Sequence, residues 1–262
     1  MSLAAEELKS QCAAAYEHPA VRWLLGGDLH PGGERTTRRA FELIGLEKGD
    51  RLLDVASGAG TSALLAAREL GAIVTGVEFG QGAVAQATAA AGADGLDGQV
   101  EFVQGDAESL PAPDDGFDVV LCECSLCTFP DKPRAVAEMR RVLRPGGRVV
   151  ISDVVIDPER LPDDLIGPIA TIACVGSALT RAGYEELLGG GGFEVLAVEA
   201  RDQDTAAFAQ RIEDRLRGAR VLGLDRLDGS PIGIEQAIEL TGLARRAVTD
   251  GSLGYAIFAA TG

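Results

Sequence analysis

The chain of 262 residues has a formal net charge of −16, 46% hydrophobic residues and five cysteines. That apolar content fills a sizeable core and excludes a disordered chain, and so acidic a surface repels phosphate backbones and anionic lipids, so neither nucleic acid nor a membrane surface is an expected partner. No apolar run has the length of a membrane span, the first residues lack the basic start of an export signal, and an odd cysteine count without such a signal predicts reduced thiols and a cytoplasmic protein.

In chain order, residues 4–25 place Leu8, Cys12, Ala15, Val21, Leu24 and Leu25 at mixed helical spacing and predict one or two short helices. The breaker cluster Leu29-His30-Pro31-Gly32-Gly33 follows, then a helix over 34–46 with Ala40, Leu43 and Ile44 inward. From there short apolar runs at 51–56, 73–78, 100–103, 117–122 and 148–153 predict buried strands, most of them separated by helices over 61–70, 80–91 and 131–143. Such alternation predicts an α/β fold with a parallel sheet covered on both faces. Runs at 193–198 and 255–260 read as closing strands, with a turn of four glycines, Gly189 to Gly192, before the first. The stretch 201–250 is charged, helical in pattern and too long for a hairpin loop. The whole of 1–262 is therefore expected to be one domain: a core over about 35–155 plus the two tail strands, and a helical cap from 1–34, 155–185 and 201–250.

The central motif is Leu53-Asp54-Val55-Ala56-Ser57-Gly58-Ala59-Gly60. A strand, a glycine loop and a helix follow one another there, the geometry of a nucleotide-type site at the carboxyl ends of parallel strands. Gly58 and Gly60 are expected to clear side chains where the loop approaches a ligand; the loop also fits dinucleotide binders. Glu78 ends the next strand, at the spacing from Gly58 that suits a carboxylate on ribose hydroxyls. Asp106, after the third strand, is placed to accept from the exocyclic amine of adenine, and Asp54, just before the loop, to balance a cation. A pyrophosphate wants helix N-terminal amides and no nearby acid. S-adenosylmethionine has a sulfonium, an ammonium and no phosphate, and three acids suit it.

On these residues the chain resembles the class I methyltransferases over most of 40–155. The resemblance maps their first motif onto Leu53–Gly60, their ribose acid onto Glu78 and their adenine-contacting residues onto Asp106 and Ala107. Phe117-Asp118-Val119-Val120 matches the fourth strand, and Arg141-Val142-Leu143-Arg144-Pro145-Gly146-Gly147 the turn before the fifth, in the manner of the small-molecule branch related to quinone-biosynthesis enzymes. It implies a Rossmann-like seven-stranded, mostly parallel sheet with the last strand antiparallel and helices on both faces. It also implies S-adenosylmethionine as cofactor, Phe79 packed on the adenine and Cys122 on the floor near the methionine part. Ala56-Ser57 stands where Gly-Cys is more usual, a change between small residues.

Cys122, Cys124 and Cys127 follow the fourth strand, and Cys174 with its neighbours is similar to a segment of arsenite methyltransferases. Converging thiolates bind soft metals or metalloids, while free cysteine is equally a small buried hydrophobe; C-x-C-x-x-C is not a structural zinc pattern, and no metal motif is expected. Cys124, Cys127, Cys174 and His30 are the candidate substrate residues. His18 and His30, the only histidines, are each a candidate general base or a turn residue. Tyr16 and Trp23 are candidates for an apolar wall. Acids such as Asp204 and Glu213 read as a solvated helix face. The expected function is methyl transfer to a small molecule, with a thiolate or metalloid such as arsenite among the acceptors. A non-catalytic adenosylmethionine binder and a nicotinamide-dependent oxidoreductase remain alternatives, and nothing in the chain sets an oligomeric state.

Overall fold

The computed structural model describes residues 3–26, 29–166, 174–228, 230 and 232–262. Helices α1 (Leu3–Glu17), α2 (Pro19–Leu25) and α3 (Glu34–Ile44) precede strand β1 (Arg51–Val55). The glycine loop leads into α4 (Thr61–Leu65), which continues as a π-helical turn, Ala66–Leu70, before β2 (Ile73–Glu78), α5 (Gln81–Ala93) and β3 (Val100–Gln104). Then come β4 (Phe117–Glu123), α6 (Lys132–Val142), β5 (Leu143–Ile156), α7 (Arg181–Gly190), β6 (Glu194–Ala200), α8 (Asp202–Val221), α9 (Ile234–Asp250) and β7 (Leu253–Thr261).

The strands form one seven-stranded sheet in the order β3-β2-β1-β4-β5-β7-β6. All neighbours from β3 to β5 pair in parallel, and β7 lies antiparallel between β5 and β6. The order reverses between β1 and β4, so the loops after those two strands open a crevice at the carboxyl edge of the sheet. Every strand predicted from the apolar runs is present. Strand β5 runs longer than expected because β7 pairs along it from Arg148 to Ile156.

Alternation along the strands sorts the two cores. Leu53, Val55, Val120, Cys122 and Ile151 face α6 and α7 and pack with Met139, Tyr184 and Leu188. Leu52, Leu121, Val150 and Ile257 face α3 and α4 and pack with Phe41, Ala63 and Ala67. The same parity turns Asp54, Glu123, Ser152 and Tyr255 toward the α3 and α4 side, where the crevice opens.

The cap expected from 155–185 divides differently. Residues 167–173 lie outside the described residues, and α7 belongs to the sheet's helix layer, because Tyr184 and Leu188 are buried in the main core. The insertion before β7 is helical, as its pattern predicts: α8 and α9 pack on each other through Leu216, Ala219, Ile234 and Ile238, with Leu24 of α2 against them. Arg215 of α8 donates to the carbonyls of Trp23 and Leu24 at 2.8 and 3.0 Å, closing the end of α2. Asp204 and Glu213, expected on a solvated face, are buried. Arg35 and Arg201 pair with Asp204, and Arg217 and Arg245 with Glu213, which compensates the desolvated charge.

Candidate active site

The crevice holds a cavity of about 190 Å³ that begins at the glycine loop and ends at the tip of β4, roofed by α1. Asp54, Ala56, Ser57, Gly58, Glu78, Phe79, Asp106 and Ala107 all border it. The three acids proposed from sequence thus share one space.

Each acid is held differently. The Glu78 carboxylate accepts from the Gly58 amide at 2.9 Å and the Gly80 amide at 2.8 Å, so it ties the end of β2 to the glycine loop. Asp106 accepts from the Glu108 amide and, through both oxygens, from the Lys9 ammonium of α1 at 2.8 Å. Asp54 is 3% exposed and its Oδ2 lacks a hydrogen-bond partner. Burial pushes its carboxyl well above the usual range, and the charges of Glu123 and Glu78 push it further. The buried hydroxyl of Ser57 also lacks a partner. An orphaned acid and hydroxyl beside a glycine loop are what a polar, cationic nucleoside would satisfy.

The two glycines of the loop do different work. At Gly58, φ is +54° and among the described residues an added Cβ would meet only Leu29 Cδ1, at 3.7 Å, so a side chain there would enter the cavity. At Gly60 the Cβ would lie 2.5 Å from Phe102 Cζ and 3.0 Å from Ala87 Cβ, and Gly60 does not border the cavity. It packs closely behind the loop, whereas Gly58 faces the cavity. Cys122, expected on the cavity floor, lies instead in the core under α6, fully buried, with its thiol pushed up by burial. Its neighbour Glu123 faces the cavity instead.

Glu123 is the residue that sequence reading passed over, although alternation from Leu121 predicts its direction. Its side chain is 6% exposed and gathers hydroxyls from three elements. Ser62 of α4 donates to it at 2.5 Å, Thr37 of α3 at 3.1 Å and Ser152 of β5 at 3.2 Å. His30 stands beside this cluster: Nε2 is 3.8 Å from a Glu123 oxygen and its ring stacks near Tyr255, with centroids 6.4 Å apart. His18 instead caps α2, its ring nitrogen accepting from the Ala20 amide. Tyr16 borders the cavity, whereas Trp23 is 49% exposed and walls nothing.

Three candidate cysteines do converge. The Tyr16 hydroxyl lies 3.0 Å from Cys174 Sγ, which also donates to the Cys124 carbonyl at 3.5 Å. Hydrogen bonds from the Cys124 and Cys127 thiols hold the Cys174 thiol well below its usual range, with Tyr16 adding to them against the cost of burial. Of the three, Cys124 borders the cavity, while Cys127 and Cys174 are buried behind it. Among the described residues no group of three or more His, Cys, Asp or Glu has the geometry of a metal site.

A doubly wound sheet with a phosphate-free, triply acidic nucleoside site at its switch point defines an adenosyl-cofactor enzyme. Residues 53–151 match the family described as Methyltransferase domain. The chain is 30% identical over 253 residues to 27-O-demethylrifamycin SV methyltransferase of Amycolatopsis mediterranei, covering 90% of each chain. It therefore belongs to the class I methyltransferases, which use S-adenosylmethionine as methyl donor, and the nicotinamide alternative falls. It is also 35% identical over 170 residues, 64% of its length, to arsenite methyltransferase of Halobacterium salinarum. That match spans 43% of the arsenite enzyme, and the chain spans less than half of another curated methyltransferase it matches, 46%. Among solved structures, the [4+2]-cyclase SpnF superposes with a TM-score of 0.66 at 30% identity, over 87% of this chain and 80% of that one. No helix among the described residues is long and apolar enough to cross a membrane.

Proposed function

We propose that this methyltransferase acts on a small, largely apolar organic molecule held between the ends of β4, β5 and β7 and the roof formed by α1. The reading rests on the continuity of one cavity from the glycine loop to Glu123, with apolar walls from Ala13, Leu29, Leu65 and Phe129. Glu78 would hold the ribose diol of the cofactor, Asp106 the adenine amine, and Asp54 with the Ser57 hydroxyl the cationic methionine end. The bound cofactor supplies an electrophilic methyl group. The chain's own task is to align an acceptor with it and keep water out, which a roof tied down at several points favours. Lys9 reaches Asp106 and Glu108, and Glu17 accepts from the Ala83 amide in the first turn of α5. The rifamycin relative, similar over nearly its full length, acts on a small molecule, as its name states.

Incubation with methyl-labelled donor and a panel of small phenols, amines and thiols tests this. Label is expected in a small product identified by mass spectrometry. Label only in protein or nucleic acid overturns the reading, as does an acceptor rearranged without methylation, the kind of chemistry named for the cyclase relative.

A second acceptor class has its own observation. The hydrogen-bonded thiols of Cys124, Cys127 and Cys174 favour a thiolate or trivalent arsenic at the Cys124 edge of the cavity. Arsenite titration followed by thiol reactivity checks it: protection of these three cysteines is expected, and unchanged reactivity ends it.

A further inference from the structure

Resting on the reading of that chamber as the acceptor site, we propose that His30 takes the proton of a hydroxyl acceptor during methyl transfer, with Glu123 as the carboxylate beside the nitrogen that receives it. An imidazole has two nitrogens, and their neighbours settle which one is available. Nδ1 lies 3.3 Å from the Pro31 carbonyl, which only accepts, so the neutral ring carries its proton there. Nε2 is then a lone pair, on a side chain that borders the cavity. The Thr37 hydroxyl, 3.4 Å from Nε2, donates its single proton to Glu123, and the Glu123 oxygen at 3.8 Å is beyond hydrogen-bond reach. Nothing on those two sides consumes the lone pair.

Glu123 is unsuited to be the base itself. Ser62, Thr37 and Ser152 all donate to its two oxygens, so both are already engaged by hydroxyls of the protein. Those three donors fix its position, and His30 Nε2 stands 3.8 Å from it. The ring plane is set as well, stacked within 12° on Tyr255, whose hydroxyl donates to the Ser152 carbonyl at 3.0 Å.

The step balances. The acceptor's O–H bond breaks and its proton goes to Nε2. The oxygen's electron pair forms the bond to the methyl carbon, and the carbon–sulfur bond breaks with its pair on sulfur. One positive charge leaves the sulfonium and one appears on the imidazolium, now facing Glu123. A hydroxyl needs this help because it is scarcely ionised near neutrality, whereas a thiol supplies its own thiolate. The inferred substrate class is therefore a phenol or alcohol.

The test uses phenol and thiophenol for turnover, and para-nitrophenol for binding, with the 262-residue enzyme and its His30→Ala and Glu123→Gln variants. With phenol, scarcely ionised near neutrality, His30→Ala should lose roughly 100-fold in kcat, the scale of one acid–base group, and imidazole in the buffer should restore part of it. Thiophenol turnover should change by less than about threefold, since its thiolate forms unaided. A second readout needs no transfer. At a pH where the free probe is mainly neutral, wild-type protein loaded with sinefungin should bind para-nitrophenol as the yellow phenolate, and both variants should bind it colourless. Equal losses with both probes and no imidazole rescue overturn the inference, as does a phenolate band that survives His30→Ala. If wild-type enzyme binds adenosylhomocysteine yet turns over neither probe, the chamber reading fails, and the absorbance arm still decides His30.

Discussion

The two ends of the cavity are built on opposite plans. At the cofactor end, Asp54, Glu78 and Asp106 come from the ends of three strands in sequence order, each within a few residues of the strand that presents it. Asp54 Oδ2 and the Ser57 hydroxyl lack partners, so this end carries unmet electrostatic demand. At the acceptor end, Thr37, Glu123, Ser152 and Tyr255 arrive from α3, β4, β5 and β7 and already satisfy one another. On the proposed reading the first end would gain its order when a cation arrives, while the second holds its order beforehand, as a site that must place a reacting atom should.

The two glycines of the cofactor loop offer the sharpest way to break this picture. Gly58→Val should reduce affinity for S-adenosylmethionine by more than about 100-fold, a loss of over ~2.7 kcal/mol, measured by calorimetry. The fold should lose only the roughly 1–2 kcal/mol of a side chain at positive φ, because among the described residues Leu29 alone comes within 4 Å. Gly60→Val should reverse the pattern and lower the melting temperature instead, since its Cβ would strike Phe102. If both variants lose ligand while keeping the same stability, the division of labour within the loop is wrong.

The acceptor end should reveal itself through the pH dependence of stability. Asp153, fully buried beneath the cysteine cluster, has its carboxyl raised to about 7 by burial and by Cys174, although the Cys127 and Val154 amides donate to it. Its folded-state value exceeds its unfolded one, so between about pH 4 and 7 the folded chain holds the extra proton, and stability falls as pH rises through that window. Asp153→Asn should flatten that slope in melting curves while losing one of the two amide contacts. A slope unchanged by the substitution would move the proton elsewhere.

This contrast also explains what could be read from residues alone. The seven strands and the three acids were legible because a buried parallel strand is a local apolar run and each acid sits at its end. Glu123 was legible in principle, since alternation from Leu121 turns it to the open face, but it stood among cysteines that drew the attention. The true place of Gly60 was not legible, because it depends on Phe102 from a strand two positions across the sheet. Nor was the burial of Asp204 and Glu213: their helix looks solvated until Arg35, Arg201, Arg217 and Arg245 are brought to it.

A smaller effect sharpens the claim that the cofactor end waits for charge. The raised Asp54 carboxyl, pushed up by burial and then by Glu123 and Glu78, must give up a proton to face a sulfonium or ammonium. Affinity for S-adenosylmethionine should therefore climb with pH and level off above the raised value, with proton release detected by calorimetry in buffers of different ionisation enthalpy. Asp54→Asn should remove that dependence and cost roughly tenfold at the upper plateau, about 1.4 kcal/mol. Adenosylhomocysteine, which lacks the sulfonium charge, should show a shallower pH dependence than the donor.

Lys9 carries the smallest expected effect and links the roof to the same end. Its ammonium bonds both oxygens of Asp106 and, at 2.6 Å, Glu108, so the adenine amine finds its acceptor already engaged. Because Glu108 can hold the ammonium alone, the exchange costs one partner rather than the whole ion pair. Lys9→Met should then tighten adenosylhomocysteine binding by about two- to fivefold, less than ~1 kcal/mol. The same variant should speed proteolysis within α1, although Glu17 on the Ala83 amide and Tyr16 on Cys174 would still hold it. Weaker binding instead would mean that Lys9 helps to seat the adenine, making the roof part of the cofactor site.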